Sequence, residues 1–111
     1  MGRGKHLGEL EALVLTGVIG ARQGANGAAV YEEIETRSGR NVSLPAVHVT
    51  LRRLEAKGLL VSEVAAPSPR GGRSRRFYQP TPAGVRALQE FRTMWRKVWK
   101  GLELPDPETL A

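Results

Sequence analysis

Apolar residues in this chain recur mainly at helical spacing, broken once by a short extended stretch. Between Leu7 and about Arg22, the residues Leu10, Leu13, Val14, Val18 and Ile19 return every three or four positions, which predicts a first helix. Ala12 and Leu15 fill the gaps, so this helix is apolar almost all round and is expected to be covered on more than one side. Gln23-Gly24-Ala25-Asn26-Gly27 reads as a turn, with Asn26 as N-cap of a second helix that runs to about Ser38 and stops at Gly39. There Val30 and Ile34 face inward, while Glu32, Glu33, Glu35 and Arg37 face water. Ser43 caps a third helix with Pro45 in its first turn, where a missing N–H costs little. Leu44, Val47, Leu51 and Leu54 form its inner face, and Gly58 ends it. Its outer face carries Pro45, Val49, Arg52, Arg53 and Ala56, with Ala46 and His48 at the edges.

Leu59–Ala65 and Arg75–Gln79 read as two strands joined by a Pro/Gly/Arg loop. Thr81-Pro82 supplies the N-cap and first residue of a fourth helix, expected to reach about Gly101. Val85, Leu88, Phe91, Met94, Trp95, Val98, Trp99 and Leu102 occupy about half of its circumference. The predicted fold is mostly α with a small antiparallel β-hairpin: a winged helix-turn-helix over residues 1–80, a dimerisation helix over 81–102 and a frayed tail over 103–111.

Charge sharpens this picture. Residues 1–40 carry five Lys/Arg against five Glu, whereas residues 41–80 carry seven against only Glu55 and Glu63. Four arginines, Arg70, Arg73, Arg75 and Arg76, fall within seven residues, and no acid occurs between Glu63 and Glu90. A cationic loop on its own is usually a solvated surface. Placed directly after a helix with a cationic outer face, it points instead to a polyanionic partner. The expected partner is double-stranded DNA. The expected contacts are Ser43, Pro45, Ala46, His48, Val49, Arg52 and Arg53 from the third helix, and Arg70, Arg73, Arg75, Arg76 and Tyr78 from the hairpin.

Other chemistry finds little support. There is no cysteine, so disulfides and thiolate metal sites are excluded. His48 and His6 are the only histidines and neither has a carboxylate at ligand spacing, so no metal or other cofactor is expected. His48 is read as a base-edge or phosphate contact, or as a plain surface residue. Gly71-Gly72-Arg73-Ser74 lacks the lysine of a phosphate-binding loop, and no nucleophile–base set is in place, so no enzyme is expected. The longest apolar run is too short to cross a bilayer, and neither a signal peptide nor a myristoylation site is apparent, position 6 being His6. The expected location is the cytoplasm.

The broad apolar face of the last helix is more than a chain of this size readily covers, which predicts a homodimer. Its expected seam uses Leu10, Val14, Val85, Leu88, Phe91, Trp95, Val98, Trp99 and Leu102. Two-fold symmetry then calls for a pseudo-palindromic operator. Trp95 and Trp99 lie four apart on one helical face. Packing is their default role, and stacking on a small planar aromatic effector is the alternative.

Three segments carry a family resemblance: Gly27-Ala28-Ala29-Val30-Tyr31-Glu32-Glu33-Ile34, Ala46 to Leu60 with its Leu51-Arg52-Arg53-Leu54-Glu55 centre, and Gly72-Arg73-Ser74-Arg75-Arg76-Phe77-Tyr78-Gln79-Pro80-Thr81-Pro82-Ala83-Gly84. From about Leu10 to Trp95 the chain resembles the PadR family of bacterial transcriptional regulators. The last segment is the most specific, while the middle one is shared with other winged-helix families. His48-Val49 stands where the family usually shows Tyr-Pro, and Ala28 where it usually shows Tyr, so an operator preference does not carry over. The resemblance implies a homodimeric repressor of the short branch, often relieved by a small molecule near the dimer interface. A winged-helix module that binds protein, and a nucleic-acid binder without sequence preference, remain open alternatives.

Overall fold

A computed structural model of the chain describes residues 6–65 and 75–110. The elements run α1 (Glu9–Ala21), α2 (Gly27–Ser38), α3 (Leu44–Ala56), β1 (Leu60–Ala65), β2 (Arg75–Pro80) and α4 (Pro82–Trp99). Short 3-10 turns lie at Arg22–Gly24 and Pro107–Thr109. The fold is therefore mostly helical with one antiparallel hairpin, a winged helix-turn-helix followed by a long helix.

Local side chains set the helix ends. Asn26 Oδ1 accepts the Ala29 N–H at 2.8 Å, and Ser43 Oγ accepts the Ala46 N–H at 3.2 Å, each satisfying a donor that the helix leaves free. The α1 start is built differently: the Gly8 N–H donates to Glu11 Oε1 at 3.0 Å. The Glu11 carboxylate also accepts from Lys57 Nζ at 2.7 Å, which ties α1 to the end of α3. Burial pushes the Glu11 carboxyl up. The Lys57 hydrogen bond, the Gly8 amide and the charges of Lys57 and Arg53 outweigh it and hold the group below its ordinary range.

The core gathers Val14, Leu15 and Val18 of α1, Val30 and Ile34 of α2, Val47, Leu51 and Leu54 of α3, and Leu59, Leu60 and Tyr78 around the hairpin. Two expectations fail here. Val14 is fully buried inside the subunit and has no surface to give to a partner. Leu44 is 39% exposed, and Thr50 lies inside in its place. Val47, Thr50, Leu51 and Leu54 already complete an i, i+3, i+4, i+7 stripe, so a first-turn leucine is not needed to close it.

A tight corner joins α3, the hairpin and α4. Gly58 takes a positive φ of 80°, open to glycine at little cost, and lets the Leu59 N–H reach back to the Leu54 carbonyl at 2.9 Å. Thr81 returns to the same corner, its N–H donating to the Leu59 carbonyl at 3.1 Å and its hydroxyl to the Gly58 carbonyl at 2.8 Å. The Thr81 hydroxyl also accepts the Gly84 N–H as the α4 cap. Gly84 is buried so close to the Leu59 carbonyl that a Cβ would collide with it.

In the hairpin Leu60 pairs with Pro80, Ser62 with Tyr78 and Val64 with Arg76. The Tyr78 N–H donates to the Ala25 carbonyl at 3.0 Å, docking β2 on the turn before α2. Beyond Phe91 every residue of α4 is exposed. The helix stops at Trp99, with Gly101 at a φ of 75°, and the tail then folds a 3-10 turn capped by Asp106, whose Oδ1 accepts the Glu108 N–H at 3.0 Å. No helix among the described residues is long and apolar enough to cross a membrane.

Candidate nucleic-acid interface

The outer face of α3 is open. Ser43, Pro45, His48, Val49, Arg52 and Arg53 are exposed and Ala46 is half-buried. Their spacing follows from the inner stripe, because residues between core positions on a helix must face out. Ser43 spends its hydroxyl oxygen on the cap and presents the first turn of the helix. His48 has a defined seat that sequence reasoning missed: its imidazole lies against Gly27, where a Cβ would strike the ring. A Cβ at the first position of α2 would displace that ring, so the histidine adds a surface contact between α2 and α3 to the one their core residues make.

The hairpin sorts its own candidates. Successive strand residues point to opposite faces, so Arg75 and Arg76 diverge. Both are exposed. Arg76 shares a face with Ser62 and Tyr78, and its Nη1 donates to Ser62 Oγ at 2.9 Å. Ser62 Oγ in turn donates to the Glu55 carboxylate of α3, at 2.8 Å to Oε2. For Tyr78 the sequence leaves a core or rim role as the default beside a phosphate contact; only 5% of its surface is exposed and its ring belongs to the core. An aromatic ring opposite Ser62 on the α3-facing side has nowhere else to pack. Burial pushes the Tyr78 hydroxyl above its ordinary pKa, and the Glu55 charge adds to this against the opposing pull of Arg76 and Arg52. Arg70 and Arg73 lie outside the described residues.

A second feature lies between α1 and α4. A groove of about 1130 Å³ is lined by Leu7, Leu13, Thr16 and Ile19 on one side and by Val85, Leu88, Phe91, Met94, Trp95 and Trp99 on the other. Among the described residues, none of the α3 or hairpin candidates lines it. Of the residues expected at a seam, Val85 is 37% exposed, Trp95 38%, Val98 53%, Leu102 58% and Trp99 60%, whereas Leu10 packs partly against the core. Leu13 and Ile19, not Val14, give α1 its groove-facing side. The rings of Phe91 and Trp95 meet edge-on with centroids 6.3 Å apart, and those of Trp95 and Trp99 are tilted by 40° at 5.0 Å. Among the described residues no group of three or more His, Asp and Glu lies close enough to hold a metal ion.

Comparison with known proteins agrees with this architecture. A curated relative, Transcriptional regulator Rv3488 of Mycobacterium tuberculosis, is 48% identical over 67 residues, which is 60% of this chain and 59% of that protein. The match thus spans less than two thirds of the relative's length. Among solved structures, a PadR family transcription regulator from Clostridium difficile R20291 superposes with a TM-score of 0.70 at 22% identity, covering 84% of this chain and 93% of the other. A PadR family regulator from Eggerthella lenta gives a TM-score of 0.66 at 28% identity, covering 85% of this chain and 82% of the other. Bacillus subtilis PadR, solved in complex with operator DNA, gives 0.60 at 17% identity over 92% of this chain and 53% of the other, a likeness of fold. The model of the Transcriptional regulator PadR-like family matches residues 15–90, more than half of the chain, and the protein belongs to that family.

Proposed function

We propose that this protein is a transcriptional regulator that binds operator DNA as a homodimer, with α3 in the major groove and the hairpin against the backbone. The observation that carries the proposal is the outer face of α3, where Pro45, His48, Val49, Arg52 and Arg53 stand free of the core beside a hairpin that adds Arg75. Arginines at such positions read guanine edges or grip phosphates, and small apolar residues let the helix approach the bases. The operator complex of Bacillus subtilis PadR supports the reading by likeness of fold.

The remaining surfaces fit a two-fold assembly. A second copy laid on the α1–α4 groove would cover the exposed strip from Val85 to Leu102, and would set two α3 helices against a pseudo-palindromic site. The paired indoles of Trp95 and Trp99 in that groove favour a small planar aromatic effector that relieves repression, since such rings offer a flat apolar face to a flat ligand.

Fluorescence anisotropy with duplexes from the gene's own upstream region, titrated at several salt concentrations, tests the reading. Arg75→Ala should lower the salt slope by about 0.9 for each phosphate that the arginine neutralises. Arg52→Ala should relax base preference at the position it reads by about 1–3 kcal/mol. Equal affinity for scrambled duplexes would mean binding without sequence preference. No binding to any duplex would leave a protein-docking module. Reporter expression with and without the gene decides repression, and tryptophan quenching by planar aromatics that also loosens DNA decides the effector.

A further inference from the structure

We infer that Ser62 and Glu55 are positioning residues for DNA binding: together they hold Arg76 so that the hairpin keeps a fixed angle to α3. Arg76 is then a strut of the interface, not one of its phosphate ligands. The inference rests on the DNA-binding reading above and narrows it.

The geometry is a directed chain across three elements. Arg76 of β2 donates from Nη1 to Ser62 Oγ of β1 at 2.9 Å, and Ser62 Oγ donates to the Glu55 carboxylate of α3 at 2.8 Å. A hydroxyl has one proton to give. Given to a carboxylate, it leaves the oxygen more negative and a better acceptor for the guanidinium, so the two bonds strengthen one another. Alanine in place of Ser62 would break the chain at its middle. Register places the chain well, because Ser62 faces Tyr78 across the ladder and Arg76 is the next residue along β2 on that face.

Three observations separate a strut from a phosphate ligand. Arg75 and Arg76 point to opposite faces of a two-stranded ribbon, so both cannot meet the same backbone in the same way. Glu55 is half-buried and forms no direct ion pair with Arg76; Ser62 stands between them. Arg76 has Nη1 committed to Ser62, so a phosphate reaching this guanidinium would also meet the Glu55 carboxylate held just behind that hydroxyl, an arrangement that electrostatics opposes. The charge excess that marks this region thus divides into arginines for DNA and one for the scaffold.

A double-mutant cycle on the full chain tests this, read as DNA affinity and salt slope. Ser62→Ala and Arg76→Ala should each weaken operator binding about tenfold, as the removal of a charge-assisted hydrogen bond does. The double variant should bind like either single one, with the salt slope unchanged in all three. Glu55→Gln still offers an acceptor and should restore most of the affinity that Glu55→Ala removes. Amide exchange in residues 60–65 and 75–80 of the free protein should quicken in Ser62→Ala, with no DNA present. A slope lower by about 0.9 per site in Arg76→Ala, with additive effects in the double variant, would make Arg76 a phosphate ligand and overturn the inference. If the wild type binds no duplex at all, the DNA reading fails instead; the exchange arm then still decides the strut, and unchanged exchange would refute it.

Discussion

Truncating Trp99 isolates the apolar strip of α4 from everything the fold needs. The residue is 60% exposed, and the aromatic ring beside it is that of Trp95. A tryptophan side chain presents about 250 Å², so about 150 Å² of Trp99 is free to be covered by a second subunit. At about 25 cal/mol per Å² that cover is worth ~4 kcal/mol per subunit. Alanine keeps a little of it and seams do not close over every atom, so about 2 kcal/mol per subunit is a fair expectation. A two-fold dimer counts the effect twice, and ~4 kcal/mol raises the dissociation constant about a thousandfold. Sedimentation equilibrium of wild type and Trp99→Ala across nanomolar to high micromolar loading reads this directly, with thermal unfolding of the isolated subunit as control. The subunit should unfold as before, since Trp99 is no part of the core. A variant that dimerises within about threefold of wild type would remove α4 beyond Phe91 from the seam, and with it the proposed symmetry.

Further outcomes follow from the packing. Glu11 has its folded pKa depressed, so its contribution is present above the ordinary carboxylate value of 4.5 and is lost as pH falls through the folded value. Denaturant unfolding between pH 7 and pH 3 should therefore show an acid limb that Glu11→Gln flattens; equal limbs would mean that the Lys57 pair does not bear on stability. Gly84→Ala drives a methyl into the Leu59 carbonyl, which is backbone and cannot swing aside, so about 2 kcal/mol or more of stability should go, read as a drop in Tm. An unchanged Tm would mean that the α3–α4 corner opens freely.

What was legible in the sequence was local. Asn26, Ser43 and Thr81 each cap the helix that their position foretold, because a cap needs only a side chain and an amide three residues on. Gly39 and Gly58 mark helix ends for a similarly short-range reason. The misreadings all concern which side of an element faces in. Val14 and Leu13 sit in a helix apolar almost all round, where periodicity cannot tell the core side from the groove side. Arg75-Arg76-Phe77-Tyr78 has no alternation of apolar and polar residues, so the inward turn of Tyr78 depends on α3 and on the Ala25 carbonyl, far off in sequence. The seat of His48 on Gly27 and the link from Arg76 to Glu55 are likewise tertiary. They are the features that decide how the candidate interface is shaped.

The threonine corner has a mechanical meaning. Thr81 fixes the start of α4 to the carbonyls of Gly58 and Leu59, immediately after α3. From there α4 extends as a rod of 18 residues, about 27 Å long, without subunit cover on its outer half. A rod clamped at one end multiplies angle into distance. The first turns of α4 are held by Gly84, Ala87 and Leu88, so the free arm runs from Phe91 to Trp99, about 12 Å. A bend of about 5° becomes roughly 1 Å at Trp99, at the lower end of the helix shifts that separate working from idle states in switching proteins. In the proposed dimer, the spacing between paired recognition helices would then be set at one end by this corner and at the other by an indole pair.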